Sequence, residues 1–330
     1  MKFPYDAPTA RAKFDAVMAA SSVPAVGAPL FIVSNPALVI AQCKAGVVGS
    51  FPSLNARPGH VLHEWLDEIT TELAEHDERH PDSPSAPFAI NQIVHGTNDR
   101  LMHDLEATVR FEVPIVICSL GARKEVYDAV HAYGGICLHD VIDDRFARKA
   151  IGKGADGLIA VAAGAGGHAG TISPIALIQE IRAWFDGPLL LSGSIATGRA
   201  ILAARAMGAD AGYIGSAFIA TEEANASGDY KRGIVEGGME DIVYSSLFTG
   251  VHGNYLRASI EAAGMDPDAL PEGDPSNMSF KSGGKGEAKA WKDIWGCGQG
   301  IGAVEEIRGA GDYVAELVAE YDAAKEALVA

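Results

Sequence analysis

One histidine lies in a glycine-rich loop that could bring an imidazole close to a bound ligand. His168 is in the segment Ala163-Gly-Ala-Gly-Gly-His-Ala-Gly170, directly after a predicted buried strand over residues 157–163. An imidazole can take or give a proton near neutral pH, and its neutral form can also donate a hydrogen bond. We therefore predict that His168 is catalytic, although a surface histidine in a flexible loop would show the same local sequence.

Two small-residue turns could bind one phosphate group together. Predicted strands over residues 189–191 and 211–214 each lead into a Gly-Ser turn. Glycine lets backbone N–H groups approach a ligand closely, and a following helix N-terminus adds positive potential. Gly-Ser turns that merely end buried strands and bind no ligand would have the same local sequence. The residues of the predicted phosphate site are Gly193, Ser194, Gly215 and Ser216.

Polar residues on other predicted strands are weaker candidates. Asn91 and Gln92 are adjacent, so strand alternation directs one amide inward and the other outward. The inward amide needs a partner, which a heterocycle with carbonyl and N–H edges or a neighbouring backbone group could provide. His139, at the end of another strand, could contact a ligand or only support other residues. Ser34 and Ser119 are similar but less specific candidates.

The composition excludes several classes of function. The chain has 330 residues, of which 48% are hydrophobic and 21% are charged, as is usual for a soluble globular protein. Its formal charge of −17 opposes non-specific binding to nucleic acid and attraction to anionic membranes. The four cysteines show no zinc-type spacing, and no metal-ligand cluster or nucleophile triad is recognisable. With no apolar signal core at the N-terminus, we expect a cytoplasmic protein without a metal.

The elements that would position these residues alternate between apolar strands and helices. This repeat predicts parallel strands with right-handed crossovers, and eight such units form a closed (β/α)8 TIM barrel of the α/β class. Loops after the last two strands of such a barrel commonly bind phosphate. An open doubly wound sheet is the alternative, but the first strand lacks a following GxGxxG motif. The predicted strands cover residues 29–33, 47–51, 88–94, 113–120, 136–142, 157–163, 189–191 and 211–214.

The chain is predicted to have three parts. Residues 1–220 form the barrel, residues 221–290 a smaller, mainly helical insertion or lid after the eighth strand, and residues 291–330 a segment that packs back on the barrel. The Pro-, Gly-, Ser- and Asp-rich stretch over residues 266–286 is predicted to be a loop beside the barrel mouth. Four glycines within residues 296–302 indicate either close backbone packing near the site or a mobile segment.

Two motifs carry a resemblance to a known family. The segment GADGLIAVAAGAGGHAG, followed by LLLSGSIATGRAILAARAMGADAGYIGSAFIATEEA, resembles the FMN-dependent nitronate monooxygenases, formerly called 2-nitropropane dioxygenases, and the related flavin enoyl-thioester reductases. The similarity runs from about residue 29 to 220 and reappears at residues 244–256 and in AWKDIWGCGQGIGAV. It implies a TIM barrel that holds FMN without a covalent bond, with the isoalloxazine ring across the barrel mouth.

The resemblance also implies roles for individual residues. His168 matches the catalytic histidine of the family, and the two Gly-Ser turns match its phosphate site. The sequence departs from the family at two places. The first strand reads PLFIVSNP instead of opening with a Gly-Met pair, so its side chains differ where substrate would lie, and His139-Asp140 stands where many relatives have a basic residue. The implied cofactor-binding residues are Ile32, Val33, Asn91, Gln92, His139, Gly167, Gly193, Ser194, Gly215 and Ser216.

The implied activity is the oxidation of an alkyl nitronate by O2 to a carbonyl compound and nitrite. His168 would act as the base for a neutral nitroalkane or would hold the nitro group of the anion. Three alternatives stay open: an NAD(P)H-dependent flavin reductase of enoyl thioesters or quinones, a flavin-binding protein without turnover, and a flavin-free barrel that binds a sugar or nucleotide phosphate. The expected partners are a small-molecule substrate and O2. The sequence does not determine whether the protein forms a homo-oligomer.

Overall fold

Eight parallel strands form the closed barrel that the sequence predicts. A computed structural model describes residues 7–274 and 293–329. Neighbouring strands are hydrogen-bonded in parallel, and the strand Ala25–Gly27 pairs with the strand Ala211–Ile214. The barrel closes between Ala25–Gly27 and Gly49–Pro52, where Val26 bridges to Val48 and the Gly27 N–H donates to the Val48 carbonyl oxygen (2.8 Å). The barrel strands are β1 Ala25–Gly27, β2 Gly49–Pro52, β3 Phe88–Ile93, β4 Ile115–Ser119, β5 Ile136–Val141, β6 Gly157–Val161, β8 Leu189–Ser192 and β9 Ala211–Ile214.

Helices cover the outside of the barrel, and local sequence signals set their ends. Thr197 caps the helix Gly198–Met207 (α8) by accepting the Ala200 N–H, and Gly208 ends this helix in the left-handed conformation. The helix Pro36–Lys44 (α2) is capped by Asn35, whose side chain accepts the Leu38 N–H. The helices are α2 Pro36–Lys44, α3 Val61–Arg79, α4 Leu101–Arg110, α5 Lys124–Ala132, α6 Asp144–Lys153, α7 Pro174–Arg182 and α8 Gly198–Met207.

The interior of the barrel is apolar at one end and polar at the other. α1 (Ala7–Met18) lies at the N-terminal end, where Phe14 packs against the inward side chains of the strands. Near the carboxyl ends of β3, β4 and β5 the inward positions are instead Asn91, Ser119 and Asp140. The carboxyl ends of the strands therefore provide the polar groups, as in other barrels of this class. The apolar inward residues are Val26, Val48, Ala89, Ile115, Ile117, Ile136, Leu138, Ile159, Leu190 and Ala211.

The first strand differs from its prediction. We predicted a strand over residues 29–33, but β1 is Ala25–Gly27 and residues 31–33 form a turn. Pro29 has no N–H to donate to a strand ladder. Ile32 has a φ of 67°, which a β-branched residue rarely adopts, and its N–H is bound by the Asn55 side chain (2.9 Å). The apolar run therefore marks a turn at the barrel mouth.

The chain after β9 contributes a small sheet and several helices. The antiparallel sheet has the order β10 (Ile242–Ser245), β11 (Gly253–Leu256) and β7 (Gly167–His168), so it holds part of the glycine-rich loop. The added helices are α9 Ser216–Ile219, α10 Gly228–Glu236 and α11 Arg257–Ala262. The division of the chain at residues 220 and 290 stays a prediction, and much of the predicted loop over residues 266–286 lies outside the described residues.

The last helix completes the outer ring of the barrel. The C-terminal helix, Ala310–Val329, packs against both α8 and α2. A Cβ atom added to Gly198 would lie 2.1 Å from the Leu317 carbonyl oxygen, so the two helices touch through their backbones. In the part of the chain that the structure describes, no helix combines the length and the apolar composition needed to cross a membrane.

Candidate active site

A cavity of ≈ 260 Å³ opens at the carboxyl ends of the barrel strands. It brings together most of the residues predicted from the sequence, although they come from loops far apart in the chain. Polar and apolar groups both contribute, since Leu30, Ile195 and Tyr213 line it as well. The predicted residues that line the cavity are Val33, Asn91, Gly167, His168, Gly193, Ser194, Gly215 and Ser216.

Glycine is required for close packing at one turn and leaves open space in the histidine loop. Gly193 has a φ of +130°, and a Cβ atom there would lie 2.9 Å from the Ala163 carbonyl oxygen, so this position requires glycine. Gly167 also has a positive φ, and a Cβ atom added to it would meet nothing within 4 Å. Open space therefore lies in front of the loop that carries His168. These features fit a phosphate at the turns and a flat ring at the loop.

One feature of the predicted phosphate site differs from expectation. The sequence predicted that the N-terminus of α8 would add positive potential beside Gly193. In the structure the Gly198 N–H at this helix end donates to the Glu320 carboxylate of the C-terminal helix (2.7 Å). Glu320 offsets part of the positive potential, so an anion bound here depends chiefly on the N–H groups of the two turns.

The glycines of residues 296–302 pack closely against the site, as one of the two predictions for this segment stated. A Cβ atom added to Gly298 would lie 2.4 Å from the Gly164 carbonyl oxygen, and one added to Gly300 would lie 2.9 Å from the carbonyl carbon of Ser194. The Gly298 N–H donates to Ser216 Oγ (2.8 Å). The segment therefore fixes the histidine loop and both turns relative to one another.

His168 is held as a neutral imidazole. It pairs with Gly253 in the small sheet, and its Nε2 lies 2.8 Å from Thr249 Oγ1. Because the Thr249 hydroxyl donates to the Val251 carbonyl oxygen (3.0 Å), its oxygen accepts from an Nε2–H. Burial lowers the pKa of His168 to about 4. At neutral pH the ring therefore carries its proton at Nε2 and can accept another at Nδ1.

A chain of hydrogen bonds crosses the cavity wall beside β3, β4 and β5. Asn91 Nδ2 donates to Ser119 Oγ (2.7 Å), and Ser119 Oγ donates to Asp140 Oδ2 (2.6 Å). Burial raises the pKa of Asp140 to about 6, against the lowering effect of the Ser119 hydrogen bond. Sequence reasoning did not select Asp140 as a site residue. The signal that could have found it is its even spacing from the inward Ile136 and Leu138.

Three predicted cofactor-binding residues lie outside the cavity lining. Gln92 faces outward and donates to Thr108 Oγ1 on α4 (2.9 Å). His139 also faces outward, and its Nδ1 lies 2.8 Å from the Tyr127 hydroxyl. Strand alternation explains both cases, because their neighbours Asn91 and Asp140 take the inward positions. The backbone of Ile32 binds Asn55 through its N–H and Asn225 through its carbonyl oxygen. We therefore leave Ile32, Gln92 and His139 out of the proposed cofactor site.

Strained backbone is concentrated beside the cavity. Leu120 and Ser194 line it with φ angles of 60° and 56°, and Ile32 lies in the adjoining turn with a φ of 67°. Non-glycine residues pay about 1–3 kcal/mol for such conformations, which persist only where the surrounding structure imposes them. Such strain is typical of functional sites.

Buried histidine gives the fold a defined dependence on pH. Burial lowers the pKa of His139 from 6.5 to about 4, so the unfolded chain binds a proton at higher pH than the native protein does. We expect His139 to withdraw about 3 kcal/mol from the free energy of unfolding as the pH falls from 6.5 to about 4. Urea unfolding of the wild type and of His139→Asn at pH 7.5 and 4.5 measures this effect.

The difference in the free energy of unfolding between the wild type and His139→Asn reports the effect of His139. Asp140, whose pKa is raised, acts in the opposite direction, because its folded-state stability contribution is lost as the pH rises through about 6. Asp140 is present in both proteins, so its effect cancels in the difference. An advantage of the wild type over His139→Asn that stays constant between the two pH values would contradict the expectation.

Known proteins match both the sequence and the fold. The family model described as nitronate monooxygenase matches residues 82–320. A nitronate monooxygenase of Neurospora crassa is 26% identical over 88% of this chain and 87% of its own length. A Mycobacterium tuberculosis protein named as a monooxygenase is 30% identical, and the match covers 66% of this chain and 61% of that protein. The structure of a nitroalkane oxidase from Streptomyces ansochromogenes superposes with a TM-score of 0.79 at 24% identity over 95% of this chain and 99% of that one, which supports the fold alone.

Proposed function

The chain belongs to the nitronate monooxygenase family, and from this premise we propose that it is an FMN-dependent enzyme that oxidises small nitro compounds with O2. The products would be a carbonyl compound and nitrite. The observation that carries the proposal is the meeting of His168 with the two Gly-Ser turns in one cavity. Family membership makes the chain a flavin-dependent oxidoreductase, and the choice of FMN and of the substrate is our inference.

The proposed FMN site uses the glycine turns and one amide. Gly193, Ser194, Gly215 and Ser216 would hold the phosphate through neutral donors, because no lysine or arginine is among the described lining residues. Asn91 lines the wall where the ring would lie. A bound flavin would supply the electron transfer between the substrate and O2. The protein contributes position, exclusion of water and control of protons.

His168 supplies the proton chemistry. The small sheet and Thr249 fix its ring, and the neutral form at physiological pH can accept the α-proton of a nitroalkane at Nδ1. With a preformed nitronate the same ring would instead orient the nitro group. The glycine segment over residues 296–300 packs against the Ser194 turn and the histidine loop and lines this side of the cavity.

The visible absorption spectrum of the purified protein tests the proposal. We expect a yellow protein that releases FMN on denaturation, and we expect an anaerobic addition of propyl-2-nitronate to bleach its flavin. Bleaching by NADH or NADPH alone would identify a reductase of enoyl thioesters or quinones instead. A colourless protein that FMN cannot reconstitute would overturn the flavin assignment.

A further inference from the structure

One buried phenol lies on the floor of the cavity. Tyr213 on β9 is only 8% exposed, and it belongs to the cluster of inward apolar side chains inside the barrel. It also lines the cavity, so its ring separates the apolar interior of the barrel from the space above. Among the residues that the structure describes, none forms a hydrogen bond with the Tyr213 hydroxyl group. This hydroxyl group is therefore available to a ligand in the cavity.

Other tyrosines of the fold show what a buried hydroxyl group requires. The Tyr230 hydroxyl donates to the Gly296 carbonyl oxygen (2.6 Å). The Tyr313 hydroxyl donates to the Ala196 carbonyl oxygen (2.8 Å). A buried polar group without a partner destabilises a protein, because it has lost its hydrogen bonds to water. Phenylalanine would fill the same space as Tyr213 without this cost, so its hydroxyl group indicates a partner that enters the cavity.

The Tyr213 phenol is an uncharged donor at physiological pH. Burial raises its pKa well above the usual range, and the charge of Asp140 raises it further. Asp140 lies on β5, which is not a neighbour of β9 in the barrel, so no other group of these two strands pairs with the phenol directly. The hydroxyl group therefore keeps its proton and can donate it to an acceptor such as a carbonyl oxygen.

The position of Tyr213 along β9 determines which part of a ligand it meets. The turn of Gly215 and Ser216 follows it after one residue. Ser192, which pairs with Tyr213 on β8, directly precedes the other Gly-Ser turn. A phosphate bound at the two turns would therefore place the rest of the ligand over the floor that contains Tyr213. The apolar side chains around the phenol suit a flat ring at this place.

We propose that the Tyr213 hydroxyl donates a hydrogen bond to a carbonyl oxygen of the FMN ring and thereby raises the reduction potential of the bound flavin. This inference deepens the proposed function and rests on its FMN site. Reduction adds electron density to the acceptor atoms of the ring, and hydrogen bonds to charged acceptors are stronger than those to neutral ones. A fixed donor therefore binds reduced FMN more tightly than oxidised FMN.

Tyr213→Phe tests the proposal, because it removes the hydroxyl group and keeps the ring on the cavity floor. Reductive titration of the FMN-loaded protein against a reference dye gives the midpoint potential of the bound flavin. We expect the ratio of the Kd of oxidised FMN to the Kd of reduced FMN to fall about 10-fold, which lowers the midpoint potential of this two-electron couple by about 30 mV. Fluorescence titration of the apoprotein should show about 3-fold to 10-fold weaker binding of oxidised FMN.

Tyr133→Phe is the matched control. The Tyr133 hydroxyl donates to the Val113 carbonyl oxygen (2.8 Å), and neither residue is among the described lining residues of the cavity. This variant should keep the wild-type midpoint potential and FMN Kd, but its apoprotein should unfold at a lower urea concentration because a hydrogen bond is lost. The Tyr213→Phe apoprotein should be at least as stable to urea as the wild type, because no described residue pairs with the hydroxyl group that it lacks.

Two results would overturn the proposal. One is a midpoint potential of Tyr213→Phe equal to that of the wild type. The other is a Tyr213→Phe apoprotein that is destabilised as Tyr133→Phe is, since the hydroxyl group would then have its partner within the protein. Neither measurement requires turnover, so an absence of nitronate oxidation would count against the proposed function alone. A protein that binds no FMN would contradict both.

Discussion

Replacing His168 by asparagine is expected to lower kcat/KM for a neutral nitroalkane by about 10²-fold to 10⁴-fold while FMN stays bound. The asparagine side chain is shorter than the imidazole and does not reach Thr249 Oγ1 from the position of Nε2, and its amide cannot accept the α-proton that His168 would take. The loss should be much smaller with a preformed nitronate, because that substrate needs no deprotonation. Steady-state oxygen consumption with 2-nitropropane and with its nitronate measures the difference.

His139→Asn is the matched control for this variant. His139 is also a buried histidine with a pKa lowered to about 4, but its ring contacts Tyr127 outside the cavity. This control should lose stability and keep its turnover number. An unchanged rate of His168→Asn with the neutral nitroalkane would remove His168 from the role of base. Equal losses with the nitroalkane and the nitronate would assign it to holding the nitro group instead.

The sequence predicted the barrel well where the signals are local. The apolar run of β9 has the same bounds in the prediction and in the structure, because a short buried strand between two glycine-containing turns is a local feature. The first strand was placed wrongly because hydrophobicity does not distinguish a buried strand from a turn at the mouth of a cavity. Ile32 in that turn is held by Asn55 and Asn225, which are distant in sequence.

The site was predictable to the extent that single segments define it. The sequence could select His168 and the two Gly-Ser turns, which line the cavity, because glycine and a polar residue after an apolar run are local features. The choice between His139 and Asp140 depends on which face of β5 is inward, and that requires the register of the whole barrel. Thr249 and Glu320 contact the site from the later part of the chain, so only the tertiary structure could show them.

Replacing Gly193 by alanine is expected to lower the affinity for FMN by about 100-fold or more. The backbone at this position has a φ of +130°, and the new Cβ atom would lie 2.9 Å from the Ala163 carbonyl oxygen. The left-handed strain costs about 1–3 kcal/mol, and the close contact forces the turn or the histidine loop to move. Because neutral N–H groups of this turn are proposed to bind the phosphate, a shift of well under 1 Å should misalign them. Fluorescence titration of the apoprotein with FMN gives the Kd.

Gly134→Ala separates the effect of strain from that of the site. Gly134 also has a positive φ, +94°, but a Cβ atom there would meet nothing within 4 Å, and the residue lies between α5 and β5 away from the cavity lining. This variant should lose stability through backbone strain and bind FMN as the wild type does. If Gly193→Ala also bound FMN with wild-type affinity, the phosphate would not lie at this turn. The phosphate would then have to bind to the turn of Gly215 and Ser216 alone. The one charged group among the described lining residues, Asp140, would repel it.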